Sequence, residues 1–286
     1  MKSLIVNADD FGLTAGVNAG IVQAFRDGIL TSTTLMATGD GFDDAVARVR
    51  ENPGIDVGVH LVLIGGNCAA PVNEIPSLAK ESGELPNSLL ELVGRVTSGL
   101  IPSEEIEREF RAQIERVISA GITPSHLDSH KHTHAHPIVM EALFRVAREF
   151  GIKRIRKPFE ETASAPKLPE SSGAVTQRFL MSVASMTAPA FRRGIKAYDL
   201  RAPDHFFGVM LTGQLCGRAL RQLIEQLPEG TSEIMCHPGI CDAELERNST
   251  RLKKQRQVEL EALLDAEVAT AVRRSGVRLM PYRDLN

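Results

Sequence analysis

Five of the eight histidines fall between His126 and His136, in a stretch that reads His126-Leu127-Asp128-Ser129-His130-Lys131-His132-Thr133-His134-Ala135-His136. Three more polar groups stand where short apolar runs stop: Asp9-Asp10 after Ser3–Ala8, His60 closing Val57-Gly58-Val59-His60, and His237 in Cys236-His237-Pro238-Gly239. Neighbouring carboxylates suit a divided role, one ligating a cation and the other accepting a proton, although Asp9-Asp10 alone reads equally as a turn or a helix cap. His60 alone would pass for a satisfied core histidine, and the histidine run for a solvated loop. The spacing speaks against the loop. His126, Asp128 and His130 are two apart, so on a strand they project to one side, and a buried polar row needs partners. A divalent cation is an economical one. Two histidines and a carboxylate leave positions open on Zn²⁺ or a similar ion, which polarises a carbonyl and brings the pKa of water toward neutrality. That is the chemistry of amide or ester hydrolysis.

The elements that must position these groups alternate. Strands are expected at Ser3–Ala8, Leu30–Ala37, Ile55–Val62, Ile122–His130, Lys153–Arg156, Glu233–His237 and Val277–Tyr282. Helices are expected at Ala15–Asp27, Phe42–Glu51, Ser88–Thr97, from Ser103 to Gly121, at Pro137–Phe150, Gln177–Phe191, Gln214–Gln226 and Lys253–Arg274. Ser103 reads as an N-cap, and Ile106, Phe110, Ile114, Val117 and Ile118 as the buried stripe behind it. Residues 65–102, rich in Pro and Gly turns, form a long insertion or cap after the third strand; residues 162–173, rich in Ser, Ala and Pro, read as a mobile loop. No glycine-rich phosphate fingerprint follows the first strand, which weighs against a dinucleotide-binding fold. The expected fold class is α/β, a single-domain (β/α) barrel, TIM-barrel-like and irregular, with its chemistry at the carboxyl ends of the strands.

Composition narrows the function. The 286 residues carry 33 Lys+Arg against 36 Asp+Glu, a formal net charge of −3, so there is no basic face for nucleic acid. No apolar run is long enough to span a bilayer, and Asn7, Asp9 and Asp10 interrupt the N-terminal run before a signal-type h-region forms. Cytoplasmic residence is expected, with association at the inner membrane face as a variant. The four cysteines are too few and too irregularly spaced for a disulfide or zinc framework, and read as free thiols.

Taken in order, Asn7-Ala8-Asp9-Asp10-Phe11-Gly12, Gly28-Ile29-Leu30-Thr31-Ser32-Thr33-Thr34, Gly58-Val59-His60, His126-Leu127-Asp128-Ser129-His130 and Met235-Cys236-His237-Pro238 resemble the YdjC/ChbG-like carbohydrate deacetylases along essentially the whole chain. The resemblance implies a barrel-like fold and a divalent metal, Zn²⁺ first and Mg²⁺ or another cation next, on Asp10, His60 and His130. It implies that Asp9 is the catalytic base and that His237 protonates or orients the leaving amine. His126, Asp128, His132, His134, Arg156, Asp204 and His205 are then expected to contact substrate or support the ligands, with His136 left at the surface. Lys131 departs from the pattern, standing where many relatives carry another histidine.

The implied substrate is an acetylated amino sugar. Phe179, Leu180, Met181, Val183, Met186, Pro189 and Phe191, edged by Arg192, Arg193 and Lys196, form either a core-packing helix or an apolar strip suited to a membrane surface or lipid tail. Pro203-Asp204-His205-Phe206-Phe207-Gly208 resembles the branch of the family associated with hopanoid biosynthesis, which implies an N-acetylglucosaminyl hopanoid. Soluble chito-oligosaccharides are the alternative, and a metal-dependent sugar phosphoesterase using Arg154 and Arg156 a more distant one. Peripheral membrane contact and a homodimer complete the expected partners.

Overall fold

The computed structural model describes residues 2–160 and 185–286. The expected loop at 162–173 and most of the helix expected at 177–191 lie outside the described residues. Strands β1 (Lys2–Phe11), β2 (Ser32–Leu35), β3 (Asp56–Leu61), β4 (Leu127–Ser129), β5 (His205–Phe207), β6 (Gly230–Cys236) and β7 (Arg278–Leu279) form one parallel sheet, ordered β4-β3-β2-β1-β6-β5. β7 pairs with the start of β1, through Ser3 and Leu4. β1 lies at the centre because its Leu4-Ile5-Val6 run is fully buried, as a strand covered on both faces must be.

The sheet curls into a half-barrel instead of a ring of eight continuous strands. Past β4 the edge continues, among the described residues, through isolated bridges, Leu127 to Ile155 and Arg154 to Arg201. The reason is local: Pro124 has no amide hydrogen for the ladder, and Lys131 and His132 turn left-handed at φ 54° and 52°. The strand expected over 122–130 therefore shrinks to three residues.

Among the described residues the helices are α1 (Ala15–Asp27), α2 (Phe42–Glu51), α3 (Leu89–Thr97), α4 (Ser103–Ser119), α5 (Pro137–Glu149), α6 (Ala188–Ala197), α7 (Gly217–Glu225), α8 (Ala243–Arg247), α9 (Lys254–Leu264) and α10 (Ala266–Arg274), with short 3₁₀ turns between some of them. The charged helix expected over 253–274 is two. Asp265 takes an extended conformation at φ −66°, ψ 121° and caps α10 by accepting from the Glu267 amide at 2.8 Å. Ser103 is likewise the first helical residue and not the cap; that position falls to Pro102, whose side chain makes no hydrogen bond.

Helix α4 buries more than its apolar stripe. Ile106, Phe110, Ile114 and Val117 are fully buried, while Ile118 is left 43% exposed. Glu105, Glu109 and Gln113, four residues apart along a neighbouring face, are also buried. Glu105 Oε2 accepts from the Ser77 and Leu78 amides at 2.8 Å each. Glu109 accepts from the Ala69 and Ala70 amides and from Gln113, which brackets Val62 through both its amide and its carbonyl. Three polar side chains thus tie residues 62–78 to one helix.

Replacing Glu109 with Leu strands those donors and is expected to cost about 3 kcal/mol of stability, given about 1–3 kcal/mol per orphaned buried group. Glu109→Gln keeps an acceptor oxygen and should lose less. Urea unfolding followed by far-UV circular dichroism reads both; an unchanged midpoint for Glu109→Leu would contradict the assignment.

Candidate active site

The parallel sheet carries every strand's carboxyl end to one side, and the polar groups singled out by their spacing converge there. Ala8 pairs with Cys236, so Asp9 and His237 each follow at the same level of adjacent strands. The β1–β2 register shifts between Ala8 and Phe11, and Asp10 sits at φ 65°, a conformation that aspartate tolerates better than most residues. The irregularity separates the directions of two neighbouring carboxylates.

Asp9 faces Arg156. The fully buried guanidinium donates to both Asp9 oxygens, Nη1 to Oδ2 at 2.7 Å and Nη2 to Oδ1 at 2.6 Å. The same group reaches Asp128 Oδ2 at 2.6 Å and donates from Nε to Glu233 Oε1 at 2.8 Å. Burial would raise the Asp128 pKa, but Arg156 and His60 outweigh it and hold this carboxyl far below its ordinary range. Asn7 Nδ2 adds a third donor to Asp9, at 3.1 Å from Oδ1. A carboxylate has about four lone-pair positions, so Asp9 keeps one free.

Asp10, His60 and His130 form a separate triangle. His60 Nδ1 lies 2.7 Å from Asp128 Oδ1, a bond that puts the ring proton on Nδ1 and leaves Nε2 as a bare lone pair. Nε2 faces Asp10 Oδ1 at 3.4 Å and His130 Nδ1 at 3.3 Å, and His130 Nδ1 is 3.2 Å from the same oxygen. Asp10 Oδ1 is buried and accepts no hydrogen bond. Three lone-pair groups turned on one another require a positive charge between them. Without an ion a proton on Nε2 supplies that charge: burial opposes charge on His60, yet the Asp128, Asp9 and Asp10 carboxylates prevail and push its pKa up to about 10; a bound cation would displace that proton. Separations of 3.2–3.4 Å are those subtended by donors about 2.0–2.1 Å from one Zn²⁺-type ion at near-tetrahedral angles. The donor set fits a divalent cation. The overlapping group Asp9, His60 and Asp128 fits less well, because Arg156 occupies both of its carboxylates.

His130 reaches the triangle from a strained turn. Ser129 Oγ holds that turn by accepting from the His134 amide at 3.1 Å and from Thr133 Oγ1 at 3.0 Å. His134 pairs with Ser129 Oγ through Nδ1 and lies 3.2 Å from the Arg156 carbonyl through Nε2. Burial pushes the His134 pKa down to about 4, so this ring is neutral. His132 stands edge-on to Phe206, whose ring centroid also lies 5.4 Å from the Arg156 guanidinium.

His126 has a packing role. Its ring stacks on Tyr282 at 3.7 Å between centroids, and burial lowers its pKa to about 4. A Cβ on Gly58 would lie 2.6 Å from this imidazole, which gives the glycine of Val57-Gly58-Val59-His60 its reason. Asp204 and His205 are not at the site. Asp204 accepts from the Thr231 amide, and His205 pairs in register with Ser232, four residues before the carboxyl end of β6 and so toward the amino end of the strands. Their β5 neighbour Phe206 is the residue of that run that reaches the Arg156 network.

His237 lies beside Glu259, which accepts from the His237 amide at 2.6 Å and stands 3.8 Å from Nδ1. Glu259 and Arg256 on α9 are both 1% exposed, and Arg256 Nη2 donates to Asp10 Oδ2 at 2.5 Å. Burial would raise the Asp10 pKa, but Arg256 and the two imidazoles hold it well below the ordinary range. Arg256, Glu259, Glu233 and Tyr282 are absent from the sequence expectations. α9 shows no local sign that its charges are buried, and Glu233 looked like an ordinary strand residue.

Residues 3–274 match the family described as YdjC-like protein, and the chain belongs to that family. It is 35% identical over 283 residues to a carbohydrate deacetylase of Brevibacillus brevis, with 99% of each chain covered. It is 32% identical over 285 residues to the chitooligosaccharide deacetylase of Serratia marcescens, again with 99% of each chain covered. A crystal structure from Enterococcus faecalis V583, named for cellobiose-phosphate cleavage, superposes with a TM-score of 0.80 at 26% identity, covering 98% of this chain and 97% of that one.

Burial, only partly offset by Arg156 and the Tyr282 hydroxyl, raises the Glu233 pKa to about 7. Between pH 4.5 and about 7 the folded protein keeps a proton that the unfolded chain has released, so stability falls as pH rises, by about 1.4 kcal/mol per pH unit at most. Glu233→Gln should remove this slope from the metal-free protein. Urea midpoints at pH 5 and pH 7 test it, and an undiminished slope in the variant would assign the proton elsewhere.

Proposed function

We propose that the protein is a divalent-metal-dependent hydrolase that removes the N-acetyl group from an N-acetylglucosamine-type sugar. The observation that carries this reading is the buried Asp10–His60–His130 triangle around an unpartnered oxygen, with the guanidinium-held carboxylate of Asp9 beside it. The names of the Brevibacillus and Serratia relatives support the same class of reaction.

A divalent cation on Asp10, His60 and His130, Zn²⁺ before Mg²⁺, supplies Lewis-acid polarisation of the acetyl carbonyl and eases loss of a proton from water. Asp9 takes that proton at its remaining lone-pair position while the water oxygen bonds to the carbonyl carbon. Arg156 keeps Asp9 in one rotamer, and Asp128 orients the His60 ring through Nδ1. As the C–N bond breaks, His237 delivers a proton to the departing nitrogen, and the products are acetate and the amino sugar. Glu259 holds the His237 backbone through its amide, with the carboxylate 3.8 Å from Nδ1.

The acceptor we propose is the N-acetylglucosaminyl head of a hopanoid lipid, supported by the Pro203–Gly208 run, with contact at the inner membrane face. Among the described residues no helix is long and apolar enough to cross a membrane. On the apolar strip ahead of the basic residues, Met186 is 79% exposed, whereas Phe191 is buried in the core. The Serratia relative's name favours a soluble chito-oligosaccharide as the second reading.

Asp9→Asn should retain near-stoichiometric metal and lose at least about 100-fold in kcat, the lower range for a general base. Asp10→Ala, His60→Ala and His130→Ala should each lose the metal, read by plasma mass spectrometry. Full activity in Asp9→Asn would remove it as the base. For the acceptor, metal-loaded protein is incubated in parallel with N-acetylglucosaminyl hopanoid and diacetylchitobiose. Loss of one acetyl mass from the lipid is expected; loss from the disaccharide alone sinks the lipid assignment, and phosphate release from sugar phosphates in place of acetate would favour a phosphoesterase.

A further inference from the structure

The hydrolysis described above gives Arg256 no task, yet its side chain is buried in the site. Nη2 bonds to Asp10 Oδ2 at 2.5 Å across 246 residues of sequence, and Nε is anchored on the Leu252 carbonyl at 3.1 Å. Asp10 is the member of the donor triangle with the least secure backbone, left-handed at φ 65° inside a register shift. A carboxylate with both oxygens free rotates and ligates through either or both. With Oδ2 occupied by the guanidinium, only Oδ1 is left facing His60 and His130, and Oδ1 is the oxygen without a hydrogen bond.

Room for the arginine comes from Gly239. A Cβ there would meet Arg256 Cδ at 3.3 Å and Val17 Cγ2 at 3.2 Å, and the Gly239 amide donates to the Arg256 carbonyl at 3.1 Å. The Cys236-His237-Pro238-Gly239 run therefore places His237 at the site and, two residues later, clears the path along which Arg256 reaches Asp10.

We propose that Arg256 is a positioning residue that holds Asp10 as a one-oxygen metal ligand, with Gly239 providing its passage. The inference rests on the reading of Asp10 as a ligand. Its sign is distinctive. A guanidinium near a dication repels it, so electrostatics alone would have the ion bind more tightly once Arg256 is neutralised. Loss of ligand orientation has the opposite effect, typically about 10–100-fold weaker binding when a ligand's supporting partner is removed.

The test is Zn²⁺ affinity by chelator competition on the full chain, with Co²⁺ visible absorption as a readout of coordination geometry. Arg256→Gln is expected to bind Zn²⁺ about 10–100-fold more weakly and to change the Co²⁺ spectrum as Asp10 gains a second free oxygen. Arg256→Lys should recover part of the loss, and Gly239→Ala should weaken binding in the same direction by less. Equal or tighter binding by Arg256→Gln with an unaltered Co²⁺ spectrum overturns the proposal. If Arg256→Gln does not fold, unchanged affinity in both Arg256→Lys and Gly239→Ala overturns it. Asp10→Ala separates the two levels: stoichiometric Zn²⁺ in that variant removes Asp10 from the ligand set, whereas its loss alongside normal binding by the arginine variants removes only the role of Arg256.

Discussion

One buried guanidinium organises the carboxyl face of the sheet. Arg156 has no exposed surface, and placing an ion there costs several kcal/mol unless partners surround it. The partners are Asp9 on β1, Asp128 on β4 and Glu233 on β6, so the charge that must be neutralised also draws three strands to one point. Its influence extends one bond further in each direction. Through Asp128 it sets the tautomer of His60; through Glu233 it engages the Tyr282 hydroxyl, on whose ring His126 stacks; through its own carbonyl it steadies His134 and the turn that presents His130. A half-barrel edge held by isolated bridges gains at its mouth the cross-strand ties that a continuous ladder would otherwise supply.

Apolar burial and polar connection divide the work. Leu4, Ile5, Val6 and the inward faces of the helices supply the non-directional part of stability. Polar side chains determine which backbone segments meet. Glu105, Glu109 and Gln113 bind residues 62–78 to α4, and Arg256 and Glu259 bind the ends of β1 and β6 to α9. In both helices the residues concerned are charged or amide-bearing and buried, because their acceptors or donors come from chain far away in sequence.

Periodicity revealed the local elements accurately where one principle governed them. Helix Ala15–Asp27 begins where expected, with Thr14 as its cap, and Phe42–Glu51 ends where Asn52-Pro53-Gly54 stops it. Expectation failed where two principles competed. Asp265 interrupts a charged stretch that still has good helix formers on both sides, and Pro124 with the left-handed pair at 131–132 trims a strand that its composition favours. The site was legible in the same way. Asp9, Asp10, His60, His130 and His237 stand at strand ends, so a parallel sheet gathers them without further information. Asp204 and His205 looked equally suitable, but β5 runs the same way as β6 and they stand at its start, which leaves them toward the amino end of the strands.

By itself the sequence determined the alternation of strand and helix, the parallel sheet, and the residue types that a cation and a proton transfer would need. These follow from spacing along the chain, which residues carry in their own order. Only the tertiary structure decided that Arg156 bonds to Asp9, Asp128 and Glu233 together, that Asp128 serves His60, that His126 packs on Tyr282, and that Arg256 and Glu259 enter the site from a helix more than 200 residues downstream of Asp10. The physical reason is that burial and pairing of a charge depend on which distant segments share its surroundings, and no local pattern of residues encodes that proximity.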